Sequence, residues 1–240
     1  MSEFQVFPAA LFDQAGLNRQ HVFAIDALPE AVRSTLGDTE YFSQLILLGH
    51  GGKRLWACVQ ASGMAGEHPI DDYVVQTVTQ IFAAEFPDRR YRIAYPGDGP
   101  IGLQQLGKLA GWHNPSPFMV GIDQEWGSWF AYRAVVLADT DFSPFFAVDR
   151  SPQELALGRG NPCLNCIEQP CISACPVGAV SNEAFALDKC IDYRRLAGSA
   201  CEFTCLARVA CPVGSEHRYS AAQLRHTYGI SLRMIRQLYD

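Results

Sequence analysis

Residues 161–176 read NPCLNCIEQPCISACP, and residues 190–212 read CIDYRRLAGSACEFTCLARVACP. These two stretches hold eight of the nine cysteines of a 240-residue chain. The first run places Cys163, Cys166, Cys171 and Cys175 ahead of Pro176, with two, four and three residues between them. In the second, Cys190, Cys201, Cys205 and Cys211 stand ahead of Pro212, with gaps of ten, three and five. The ninth, Cys58, sits in the apolar context LWACV and reads as a small buried hydrophobe.

A thiolate run closed by Cys-Pro is the pattern of two-cluster bacterial ferredoxins. There three close sulfurs grip one cubane, and the cysteine before proline ligates the other. Applied here, the rule crosses the runs: Cys163, Cys166, Cys171 and Cys211 form one 4Fe-4S set, and Cys175, Cys190, Cys201 and Cys205 form the second. Two spacings depart from the ferredoxin pattern, the four residues before Cys171 and the wide gaps of the second run. Disulfides would suit a small secreted chain, whereas this sequence opens with neither a basic start nor an apolar signal core and reads as cytoplasmic, where thiols stay reduced. Structural zinc could use the same eight residues as two four-thiolate sites. The paired Cys-Pro endings favour iron and sulfide.

Composition frames the rest. A hydrophobic content of 48% can fill one sizeable core and a small second module. No apolar run approaches the ~20 residues that span a bilayer, so no membrane partner is expected. Net charge is -6; eight Lys/Arg against six Asp/Glu from residue 181 onward leave -8 on the first 180 residues. Such a front has no evident footprint for phosphates, and nucleic acid is not an expected partner.

Along the chain, the pattern predicts an α+β fold in two parts, a front domain over 1–150 and a cluster module over 151–240. A helix is expected near Leu28 to Leu36 and a buried strand at QLILLG. Ile70, Val74, Val75, Val78, Ile81 and Phe82 recur at helical steps as far as the stop at Pro87. YRIAYP reads as a strand, and residues 100–111 as a helix opened by Pro100 and closed by Gly111. PFMVGIDQEWGSWFAYRAVVLAD reads as a hairpin whose second strand is buried. Residues 141–160 read as the connection between domains. Ser220 and Gln223 make a capping box, and Gly229 is expected to interrupt the helix that follows.

DGPIGLQQLGKLAGW (98–112), GSWFAYRAVVLAD (127–139) and the two Cys-Pro runs with CIDY between them resemble the cobalamin-binding iron-sulfur reductases of the epoxyqueuosine reductase type. WGSWFAYRAVVL (126–137) also resembles a strand of the cobalamin-processing chaperones that strip cyanide or alkyl groups. The resemblance implies a nitroreductase-like front domain, a ferredoxin-like module and a bound cobalamin, with flavin the alternative that such folds also hold. No Asp-x-His-x-x-Gly motif is present, so the implied cobalamin is base-off. It also implies a proton-donating role for Asp98, although the proline after it comes one position early. Gly102 falls at the helix placed beside the cofactor. Arg133, alone among apolar neighbours, calls for a buried carboxylate or an anionic ligand. Trp112, Trp126 and Trp129 read as core or rim aromatics, Trp129 being the candidate for the cofactor; His113 and His50, in turns, are candidates for the pocket wall.

Epoxyqueuosine reductases typically carry a helical-repeat extension for tRNA, whereas here 29 residues follow Cys211. The expected function is therefore to pass electrons through two 4Fe-4S clusters to cobalamin, reducing it or removing its upper ligand. Plain electron transfer and epoxyqueuosine reduction on tRNA are the alternatives. Arg218, Arg225, Arg233 and Arg236 would suit docking of an acidic donor such as a ferredoxin or flavodoxin.

Overall fold

The computed structural model describes residues 5–143 and 160–239. They divide into two compact units, 5–111 with 130–143, and 112–129 with 160–239. The expected connection at 141–160 lies almost wholly outside the described residues.

The first unit is α+β. Its four strands, β1 (Arg19–Ala24), β2 (Gln44–Gly51), β3 (Tyr91–Tyr95) and β4 (Phe130–Ala138), form an antiparallel sheet in the order β1-β2-β4-β3. All eight residues of β2 are buried, because neighbours flank it on both edges and both of its faces are covered. On one face Ile46, Leu48, Val22, Ala134 and Val136 pack with Val74, Val78 and Phe82 of the helix Pro69–Glu85. On the other, Leu45, Leu47, Val135 and Leu137 are fully buried as well. The long helix begins with Pro69, whose missing N–H is no loss at a first turn, and Asp71 and Asp72 favour its positive end.

Several expectations need correction. β1 is hidden in the sequence because two of its inward residues, Arg19 and His21, are polar, so RQHVFA shows no apolar alternation. The helix Arg54–Ser62 was likewise unforeseen; it buries only Leu55 and Val59, one turn apart, and ends at Gly63 in the left-handed conformation. The helix expected at 28–36 is a single turn, Glu30–Arg33, with Leu28, Val32 and Leu36 buried around it. The expected hairpin does not form. Its second run is β4, paired with β2 and β3, while its first belongs to the other unit, where only isolated bridges, Asn114 with Ile122 and Asp123 with Gly127, hold it. Gly121 there lies so close to the His113 ring that a side chain would displace it.

The helix near Gly102 forms as Leu103–Leu109. Gly107 in its middle faces the Tyr132 ring of β4 with no room for a methyl group.

The second unit consists of short helices and loops and ends in the helix Ala221–Tyr239. Gln223 N–H donates to Ser220 Oγ at 3.2 Å, as a capping Ser requires. The helix runs unbroken through Gly229, where a Cβ would meet only the Phe203 ring at ordinary distance. Among the described residues no helix is long and apolar enough to cross a membrane.

Candidate redox site

In the second unit two short helices, Pro170–Ser173 and Leu206–Ala210, pack against each other. Each hands one thiol to each predicted set. Cys171 lies inside the first helix and Cys175 just beyond it; Cys205 and Cys211 bracket the second. Cys163, Cys166, Cys171 and Cys211 line one mostly apolar recess, walled by Phe118, Ile122, Pro162 and Pro212. Asn161 fixes its edge, accepting from Cys163 N–H at 3.0 Å and donating to Pro115 O at 3.2 Å.

The electrostatics separate the same two sets. Burial, then the neighbouring Cys211, Cys171 and Cys166, push the Cys163 thiol up to about 11. Burial and Cys205 push Cys190 up to about 11, with Cys201 and Cys175 adding and Arg194 opposing. Cys175 is held below its ordinary value. Burial would raise it, but the backbone N–H groups of residues 177–180 together outweigh burial, Ala179 N–H reaching Sγ at 3.3 Å. None of the nine cysteines is in a disulfide. Among the described residues no group of three or more His, Cys, Asp or Glu side chains is gathered as a single metal ion would require.

Sequence reading missed the arginines. Arg194 is one helical turn beyond Cys190 and Arg208 three residues beyond Cys205, and each is at most 8% exposed. The i+3 and i+4 spacings were the available signal. Trp129 is completely buried beneath Arg208, whose guanidinium carbon lies 4.4 Å from the ring centre. Trp126 stacks near His217 at 4.3 Å.

In the first unit the other candidates gather at one end of the sheet, where β2 and β3 end and β4 begins. Arg133 Nε donates to His50 Nδ1 at 3.0 Å, and its Nη1 stands 3.9 Å from an Asp71 carboxylate oxygen. Tyr95 joins them; its phenol is raised by burial and then by Asp71, with Arg133 opposing. Asp98 and Gly102 follow β3 at the same end, Asp98 exposed in the turn. A recess of about 790 Å³ lies instead at the opposite end of the sheet, between Ala24, Gln44 and Phe142, and includes none of the predicted residues.

The tail arginines are largely engaged within their own unit. Arg218 donates to Cys211 O at 3.2 Å, Arg225 lies over Phe203, and Arg236 meets Glu202 at 3.6 Å.

No protein-family model and no curated protein matches the chain. Solved structures do. An epoxyqueuosine reductase from Bacillus subtilis, with an aspartate-bearing catalytic loop swung out of its active site, matches at a TM-score of 0.52 and 12% identity over 88% of this chain and 66% of that one. An epoxyqueuosine reductase holding an epoxyqueuosine-modified tRNA stem loop matches at 0.52 and 13% identity, over 90% and 68%. The chain thus spans about two thirds of the length of these proteins, and what it shares with them is the fold. The second of these structures holds a tRNA stem loop, and the charge of a whole segment, on which the expectation of no nucleic-acid partner rests, does not report on local phosphate-binding groups.

Proposed function

We propose that this chain is an oxidoreductase of the epoxyqueuosine reductase kind, acting on a modified tRNA with two 4Fe-4S clusters and a cobalamin. This replaces reduction of a bound cobalamin, or removal of its upper ligand, as the favoured reading. The observation that carries the reading is the recess lined by Cys163, Cys166, Cys171 and Cys211, three thiols of one run closed by the last thiol of the other.

The donor set fits clusters better than zinc. Tetrahedral zinc draws four sulfurs to about 2.3 Å from one ion. Cys163, Cys166, Cys171 and Cys211 line one recess, and the paired Cys-Pro endings of the two runs follow the crossed ligation of two-cluster ferredoxins rather than a single-ion site. Cys175, Cys190, Cys201 and Cys205 would hold the second cluster. The clusters supply single electrons when bound, and cobalamin a metal centre that accepts them.

The chain's own residues do the rest. Phe118, Val180 and Ala207 exclude water from around Cys171, with Cys175 and Cys205 packed against the same apolar group. At the sheet end of the first unit, His50 and Asp71 hold the Arg133 guanidinium in place for an anionic group of cofactor or substrate. Asp98, exposed in the turn after β3, is the residue that would act as acid toward a substrate.

The test is anaerobic purification followed by metal analysis, visible spectroscopy with added cobalamin, and incubation with an epoxyqueuosine-bearing tRNA stem loop and a chemical reductant. About eight irons per chain, a shifted cobalamin spectrum and conversion of the modified base are expected. Stoichiometric zinc, or a flavin spectrum in place of cobalamin, would overturn the cofactor assignment; an unreacted stem loop with both cofactors in place would overturn the substrate.

A further inference from the structure

The two thiol sets sit in unequal electrostatic surroundings. Beside Cys190 and Cys205 stand two arginines that are 8% and 6% exposed. Arg194 is held by Ser231 Oγ and Tyr228 O, both at 3.1 Å, and lies over the Tyr228 ring. Arg208 is held by Ser128, donating to its Oγ at 3.2 Å and to its carbonyl oxygen, and lies against the Trp129 and Tyr219 rings. Among the described residues neither is paired with a carboxylate: Glu202, next to Cys201, is turned to Arg236. The first set has Arg218, which is only partly buried and whose guanidinium binds the Cys211 carbonyl.

A cluster that takes up an electron gains a negative charge, and a fixed cation in a low-dielectric surrounding favours the charged form. We propose that Arg194 and Arg208 are tuning residues that raise the reduction potential of the group held by Cys175, Cys190, Cys201 and Cys205 above that of the group held by the other four thiols. This rests on the iron-sulfur reading. One electron from an external low-potential reductant would then come to rest on the second set, leaving the first oxidised until a further electron arrives.

The test is an EPR-monitored redox titration of the anaerobic 240-residue chain, with dithionite as the electron source and signals assigned through Cys163→Ser and Cys190→Ser. Wild type should show two midpoints, the higher belonging to the second set. Arg194→Gln and Arg208→Gln should each lower the higher midpoint by about tenfold in the equilibrium constant, about 59 mV for one electron, and leave the other unmoved. Arg194→Lys should restore most of the loss. Should Arg208→Gln fail to retain iron, Arg194→Gln reads the same quantity. An unchanged higher midpoint with full iron content, or a shift of the lower one instead, overturns the inference. Absence of iron from the wild type strikes the cluster reading itself, which makes the two failures distinguishable.

Discussion

Arg133 on β4 donates its Nε proton to Nδ1 of His50 on β2 across 3.0 Å, so the imidazole is neutral at Nδ1 and carries its proton on Nε2. The arginine side chain is 14% exposed, and losing its acceptor leaves a largely buried donor unmatched. His50→Ala should cost about 1–3 kcal/mol in urea unfolding. His50→Gln, which keeps an acceptor, should recover part of that. Equal stability of all three proteins would show the bond to be idle.

Gly107 and Tyr132 make the tightest demand on the helix Leu103–Leu109. An alanine methyl would overlap the tyrosine ring, and overpacking of this kind costs about 1–3 kcal/mol. Gly107→Ala is expected to be destabilising alone and much less so in a Tyr132→Ala background. A double-mutant cycle with no coupling would mean that the helix simply shifts.

His21 gives the first unit a defined acid sensitivity. Burial lowers its imidazole from 6.5 to about 4. The unfolded chain therefore binds the proton first, so the stability carried by the neutral ring is complete above about pH 6.5 and fades as pH falls toward 4. At 1.36 kcal/mol per unit the loss is at most about 3.4 kcal/mol. His21→Leu should flatten the urea midpoint over that range relative to wild type; parallel curves would remove His21 as the cause.

The crossed thiol assignment predicts unlike partners for like mutations. Cys211→Ser should disturb the cluster otherwise held by the first run, and Cys175→Ser the one otherwise held by the second, each with about half the iron lost or labile. EPR of the reduced variants checks this. If each variant instead damages the cluster of its own run, the assignment is wrong.

Asp98→Asn should retain iron and bind the stem loop as wild type does, while single-turnover reduction slows by about 10²-fold or more, the usual contribution of a positioned acid. A wild-type rate would make Asp98 an ordinary turn residue.

What was legible followed from how strongly the residue type dictates the element. QLILLG and the Ile70–Phe82 stripe are apolar at the right period, and both elements stand where expected. The crossed thiol assignment rests on two prolines and a spacing rule. β1 was not, because Arg19 and His21 occupy inward positions that only tertiary partners make acceptable, such as the Phe130 ring over which Arg19 lies. Nor was the destination of residues 117–122, whose apolar run looks like a strand but packs instead around the thiols. Arg194 and Arg208 read as ordinary helix-surface cations until their burial is known.

The interlock of Gly127 with Val213 and Gly214, backbone against backbone with no space for a side chain, has a consequence for biosynthesis. The 112–129 segment leaves the ribosome more than eighty residues before the stretch it clasps, a wait on the order of 4–16 s at ordinary elongation rates. During that interval Trp129 and Phe118 have no finished surroundings, while the sheet around β4 can already close once residue 138 has emerged. Nascent chains stalled before Cys211 should therefore display an apolar segment to chaperones.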